Sequence, residues 1–199
     1  MRNAIRSFVI ASSLAAQPAC TAFQLAGSSP VQLVVVSLDG GPGIDEATYR
    51  HAFQSDVVTN GRVVEDGGRV FLELAPRDPG TALEPSRPSP ANVVTIRRYR
   101  VRFVRADGRA APGVDVPYGF DGAMTITVGP EGGIGRFVLV RTQSKLEPPL
   151  VTLRDGGGAV ALSLLAEVTF FGRDQAGHDV SATGLIGINF GDWADGGDE

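Results

Sequence analysis

Six arginines crowd into thirteen residues of this 199-residue chain: Arg97, Arg98, Arg100, Arg102, Arg105 and Arg109. A guanidinium offers a planar fork of donors that matches a carboxylate or phosphate. A row of them therefore suits an anionic polymer, such as lipopolysaccharide phosphate or an acidic polysaccharide. Alternate residues of an extended strand share one face. That places Arg98, Arg100 and Arg102 together and makes them candidate anion-binding residues. The competing expectation is a solvated sheet face, in which these side chains pair with Asp and Glu of neighbouring strands while their stems cover apolar surface.

Other chemistry is sparse. The two histidines, His51 and His178, are far apart, and Cys20 is the single cysteine, so a zinc site lacks ligands. Hard oxygen ligands gather at Asp174 and Asp179, and at Asp192, Asp195 and Asp198, but neither run has the alternate-position spacing of a calcium loop. The nucleophile elbow, the phosphate-binding Gly-Lys loop and the His-Glu-x-x-His helix are all missing from the sequence. GPEGGIGRF carries no lysine and reads as a turn between strands. His178 beside Asp179 lies in a predicted hairpin turn with no evident nucleophile, and paired carboxylates for glycoside hydrolysis would have to come from distant segments. The expectation is no enzyme, no metal and no cofactor. A formal charge of −4 argues against nucleic acid as a partner. Of the 18 basic residues only Lys145 is lysine, which reads as compositional bias without bearing on mechanism.

The elements that would carry these residues are strands. Gly (26) and Pro (13) are abundant and punctuate short apolar runs. From Leu162 the even positions read Leu162, Leu164, Ala166, Val168, Phe170, and beyond a turn Val180, Ala182, Gly184, Ile186, Ile188, Phe190. Both runs have the period of two of a half-buried strand. Facing residues must point to the same side of the sheet, so Arg173 pairs with Asp179, Phe170 with Ala182, Val168 with Gly184 and Ala166 with Ile186. The turn Asp174-Gln175-Ala176-Gly177 has a side-chain acceptor at its start and a Gly where positive φ is needed. Val93 to Arg105 is the second strong strand. There Tyr99, Val101 and Phe103 are out of step with Val94 and Ile96, which predicts a bulge near Arg97.

VTFFGRDQAGHDVSATGLIGINF resembles the last two strands of bacterial immunoglobulin-like and fibronectin type III-like domains, with His178 where Asn is usual. Tyr-x-Val-x-Phe at Tyr99 to Phe103, followed by Asp107-Gly108, is similar to the third strand of those domains. The resemblance implies an antiparallel sandwich and no particular chemistry. Further strands are expected at Val31 to Leu38, Asp56 to Glu65, Arg69 to Ala75, Ala123 to Val128, Ile134 to Thr142 and Pro149 to Arg154. A short helix is expected over Ile44 to Gln54, and Pro76 to Pro90 reads as a surface loop. The fold class is thus all-β: an immunoglobulin-like antiparallel sandwich of about eight strands with at most one short helix.

Met1 to Ala19 has a basic start at Arg2 and Arg6, an apolar run and small residues, the layout of a secretory signal. Its loss would take the charge from −4 to −6. Cys20 follows it directly, and here the sequence resembles a bacterial lipoprotein signal, in which that cysteine is acylated. Gln17 and Pro18 depart from the usual pattern, and the soluble alternative is cleavage after Ala22. Thr21 is not the aspartate linked in that family with inner-membrane retention, which implies an outer-membrane destination. Acyl chains at about 0.8 kcal/mol per buried CH₂ would hold such a protein firmly.

The expected layout is a signal at 1–19, a tether at 20–30, one sandwich at 31–191 and an acidic tail at 192–199. The expected function is a non-catalytic exported lipoprotein acting as a structural or adhesive module at the cell envelope. It would hold the membrane through lipid on Cys20 and meet a protein or glycan at the cell surface; periplasmic or secreted forms are the other destinations. A carbohydrate-binding or glycan-processing role is the alternative, using the arginine face with exposed aromatics such as Phe171, Tyr118 or Trp193.

Overall fold

Side chains that alternate between apolar and polar bury one face of each strand, and two such faces closed on each other make the core. A computed structural model describes residues 27–42, 49–156 and 160–193. Its strands are β1 (Val31–Pro42), β2 (Ala52–Asp56), β3 (Asp66–Pro76), β4 (Val94–Arg105), β5 (Phe120–Val128), β6 (Gly133–Val140), β7 (Leu162–Asp174) and β8 (Asp179–Gly191). They form two sheets, ordered β1-β3-β6 and β2-β8-β7-β4-β5. Every pairing between them is antiparallel except β2 with β8, which is parallel. Among the described residues one α-helix occurs, α1 (Thr142–Leu146), with single 3₁₀ turns at Pro90–Asn92 and Leu150–Leu153.

The β7–β8 hairpin takes the register that its pattern requires. Arg173 faces Asp179, Phe170 faces Ala182, Val168 faces Gly184 and Ala166 faces Ile186. Ala166, Val168 and Phe170 are sealed from solvent. Gly177 takes φ +89°, and its N–H bonds to the Asp174 carbonyl at 3.1 Å, closing the turn. On β4 the pairing skips between Ile96 and Arg98 against both neighbouring strands. This bulge turns the buried set from even to odd, so that Val94 and Ile96 share the core with Tyr99, Val101 and Phe103. Rings from both sheets meet at its centre: Phe137 of β6 lies 4.9 Å from Tyr99 and 5.4 Å, edge-on, from Phe170. Gly68 of β3 leaves the space they need, because a Cβ there would come within 2.5 Å of the Phe137 ring.

Three sequence expectations fail. The helix expected over Ile44 to Gln54 has its residues 43–48 outside the described set, and from Ala52 the chain is strand β2. Pairing with Ile188 and Phe190 buries Phe53 and Ser55 in turn, and this outweighs a weak helical pattern. The strand expected over Asp56 to Glu65 stops at Asp56. Thr59 and Arg62 exchange backbone hydrogen bonds of 2.8 and 2.9 Å around Asn60 (φ +49°) and Gly61 (φ +71°), and two successive positive φ values make a type I′ turn. The strand expected over Pro149 to Arg154 is a 3₁₀ turn whose Leu150 and Leu153, three apart, both reach the core. Pro148 and Pro149 withhold the donors that a ladder needs there.

Candidate functional site

The core-facing set of β4 leaves its arginines on the outside of the five-stranded sheet. Because of the bulge, Arg97 and Arg98 are consecutive and both exposed, followed by Arg100 and Arg102. Across the sheet, Arg98 stands between Ala123 and Phe171, Arg100 between Asp121 and Thr169, and Arg102 opposite Glu167. The next strand adds Ser181, Thr183 and Leu185 opposite Phe171, Thr169 and Glu167. Thr169 and Thr183 join hydroxyls at 2.9 Å. The face thus grades from cationic on β4, through hydroxyls, to exposed Leu165 and Leu185 at the other end of β7 and β8.

Asp121 is the pivot of the arginine column. Arg100 grips it with two bonds, Nε to Oδ1 at 3.0 Å and Nη2 to Oδ2 at 3.2 Å, and Arg98 Nη1 adds a third at 3.1 Å. The hydrogen bond from Arg100 is the main cause that holds the Asp121 carboxyl below the usual carboxylate range. Arg98 also lies over the Phe171 ring, 4.1 Å from its centroid, with Arg100 at 5.9 Å. The column pairs with a neighbouring-strand acid over only part of its length. Arg98 and Arg100 pair with a neighbouring-strand acid, whereas Arg97 and Arg102 make no ion pair among the described residues. Arg173 and Asp179 close the face with an exposed pair at 2.7 Å.

Two shallow depressions flank the Asp121 clamp. One, of about 380 Å³, lies beside the bulge against Arg98, Phe171, Gly172, Arg173, Asp179 and Ser181, and a contiguous hollow extends it to Arg97. Gly172 fits opposite the bulge because a Cβ there would stand 2.6 Å from the Thr95 carbonyl oxygen. The other, of about 270 Å³, lies against Arg100, Arg102, Gly119 and Asp121. No family model matches this chain, and neither does any curated protein or solved structure.

The other residues singled out by sequence fall elsewhere. Cys20 and the leader lie outside the described residues, as do Asp195 and Asp198. His51 Nδ1 meets Asp39 at 2.7 Å, and Arg69 holds the other oxygen of that carboxylate at 2.9 Å. His178 pairs with Asp174 at 2.9 Å inside its own turn, rather than with Asp179, which is engaged by Arg173. No group of metal-ligating side chains occurs among the described residues. Tyr118 is half exposed beside Gly113, in the segment whose Gly119 abuts Arg102, and Trp193 packs on Gly191. Phe171 lies on the face itself, and Arg98 covers it. GPEGGIGRF forms the turn between β5 and β6 through paired bonds of Gly129 and Gly132.

Lys145, read as mere composition, is a structural centre. It is 1 % exposed, and its Nζ donates to Asp66 Oδ1 at 2.9 Å and to the Asp56 carbonyl at 2.7 Å. Ser55 donates to the other Asp66 oxygen at 2.6 Å, and the Trp193 N–H bonds the Asp56 carboxylate at 3.1 Å. The group ties α1, both sheets and the C-terminal segment together at one end of the sandwich. Lys145, Asp66 and Ser55 are buried within it, whereas Asp56 and Trp193 are partly exposed. The signal available in the sequence was its uniqueness, since a chain that uses Arg at its other basic positions kept one ammonium.

Proposed function

We propose that this chain is a non-catalytic, exported lipoprotein whose immunoglobulin-like sandwich makes surface contacts at the bacterial envelope, through the outer face of its five-stranded sheet. The observation that carries this reading is the arginine column of β4, displayed on an open face and backed by Phe171. Five guanidiniums, Arg97, Arg98, Arg100, Arg102 and Arg173, meet three carboxylates, Asp121, Glu167 and Asp179, so the face has an excess of positive charge on a chain that is acidic overall. Support for the immunoglobulin-like assignment comes from strand order. β1-β3-β6 opposes β4-β7-β8 as strands A, B and E oppose C, F and G in such domains. Support for the anchor comes from the basic, then apolar, leader ending at Cys20. Among the described residues no helix is long and apolar enough to cross a membrane. An interaction role also fits histidines bound within their own neighbourhoods and a lysine sealed in the core.

The test is retention, on isolated envelope material, of the mature chain carrying Cys20→Ser, so that no lipid holds it there. Replacing Arg98, Arg100 and Arg102 with Gln should abolish most of it while leaving the melting temperature within a few degrees. Unchanged retention by the triple variant refutes the use of this face. For the anchor, metabolic labelling with a fatty-acid analogue should mark the chain. Label that survives Cys20→Ser counts against acylation there.

A further inference from the structure

Neutralisation along the arginine column is uneven, and its pattern has a length. Arg98 and Arg100 share Asp121, whereas Arg97 and Arg102, one at each end, make no ion pair among the described residues. Each end borders its own depression, the bulge hollow at Arg97 and the Gly119 hollow at Arg102. At about 3.3 Å per residue the two lie at most about 16 Å apart along β4, the bulge shortening the span. We infer that this face binds an acidic linear polysaccharide lying along β4, with one negative group at Arg97 and another at Arg102, and uncharged hydroxyls over the ground between. The inference rests on the surface-contact reading above and adds the class of ligand.

Three features favour a glycan over an acidic peptide. An extended peptide gains its affinity from main-chain pairing at a sheet edge, but β4 is paired on both sides, with β5 and β7, and offers only side chains. Beside the arginines stand Thr169, Thr183 and Ser181, hydroxyls suited to sugar hydroxyls. The middle of the column is already satisfied by Asp121. A ligand with closely packed charges would have to compete with that carboxylate, whereas one with spaced charges would not.

The probes are glucuronic acid as monomer, a hexamer in which glucuronic acid alternates with an uncharged N-acetylated sugar, the carboxyl-reduced hexamer and poly-aspartate, titrated calorimetrically into the mature chain carrying Cys20→Ser. The hexamer should bind and the monomer should not at equal carboxylate concentration; carboxyl reduction should abolish binding. Arg97→Gln and Arg102→Gln should each weaken the hexamer about tenfold, an effect that added salt shrinks. Equal binding of monomer and hexamer, or no effect of Arg102→Gln, overturns the two-point arrangement. Equal binding of poly-aspartate overturns the glycan. If no acidic glycan binds while envelope retention persists, this inference fails and the surface-contact reading stands. Loss of envelope retention by the chain carrying only Cys20→Ser defeats both.

Discussion

Replacing Lys145 with Met removes the ammonium at the closed end of the sandwich while keeping most of its volume. Asp66, 1 % exposed, would retain the Ser55 hydroxyl but lose the charge 2.9 Å from its Oδ1, and the Asp56 carbonyl would lose its donor at 2.7 Å. Stripping one partner from a buried ion pair costs about 3 to 5 kcal/mol, because the charge left behind loses its compensation at hydrogen-bond distance. With a slope of about 2 kcal/mol per molar urea, the unfolding midpoint should fall by roughly 1.5 to 2.5 M. Trp193 is the single tryptophan and its backbone N–H bonds Asp56, so its fluorescence reports on this end, with circular dichroism as the global probe. Asp66→Leu combined with Lys145→Met removes both charges and should recover much of the loss. A Lys145→Met deficit below about 1 kcal/mol would refute this account; should the single variant not fold, recovery by the double variant decides.

Further outcomes separate steric from conformational demands. Gly68→Ala puts a methyl within 2.5 Å of Phe137, which is wedged between Tyr99 and Phe170, and should cost about 1 to 3 kcal/mol, whereas Gly187→Ala meets nothing closer than Ala52 Cβ at 3.6 Å and should leave the melting temperature nearly unchanged. Gly61→Ala has open space around it but φ +71°, so its expected loss of about 1 to 2 kcal/mol is backbone strain alone, and Gly61→Asn should restore part of it in a chemical melt. Asp121 should titrate by NMR below the ordinary carboxylate range, and Arg100→Gln should move it back upward. Since its folded value lies below the unfolded one, the clamp persists above the ordinary range and is lost only as pH falls through the depressed value.

How far the sequence reaches depends on the distance over which its signals act. The β7–β8 register follows from side chains that alternate within thirteen residues of a turn, and so it can be read before any coordinates. The Arg97 bulge is equally local, since a change of parity between Ile96 and Tyr99 admits few other causes. β2 is not local: its partner β8 lies over 130 residues away, and AFQSD alone has neither length nor a strong pattern. The Asn60-Gly61 turn was legible by its residue pair, yet the apolar run Val57-Val58 and Val63-Val64 on either side of it disguised the break. For the candidate site, strand spacing brings Arg98, Arg100 and Arg102 onto one face, but their sharing of Asp121 depends on which strand becomes the neighbour. Lys145 is the clearest omission, because burial of a charge is decided by partners drawn from two distant segments, β2 at Asp56 and β3 at Asp66.

The first strand bears on how copies of this chain behave when packed side by side. β1 is the margin of the smaller sheet and carries outward Val34 and Val36, and its ladder is interrupted where Val36 has no opposite number between Val35 and Ser37. An unbroken apolar margin would invite a neighbouring molecule to zip onto it, and so on into a ribbon. The interruption spoils the repeat that such growth needs.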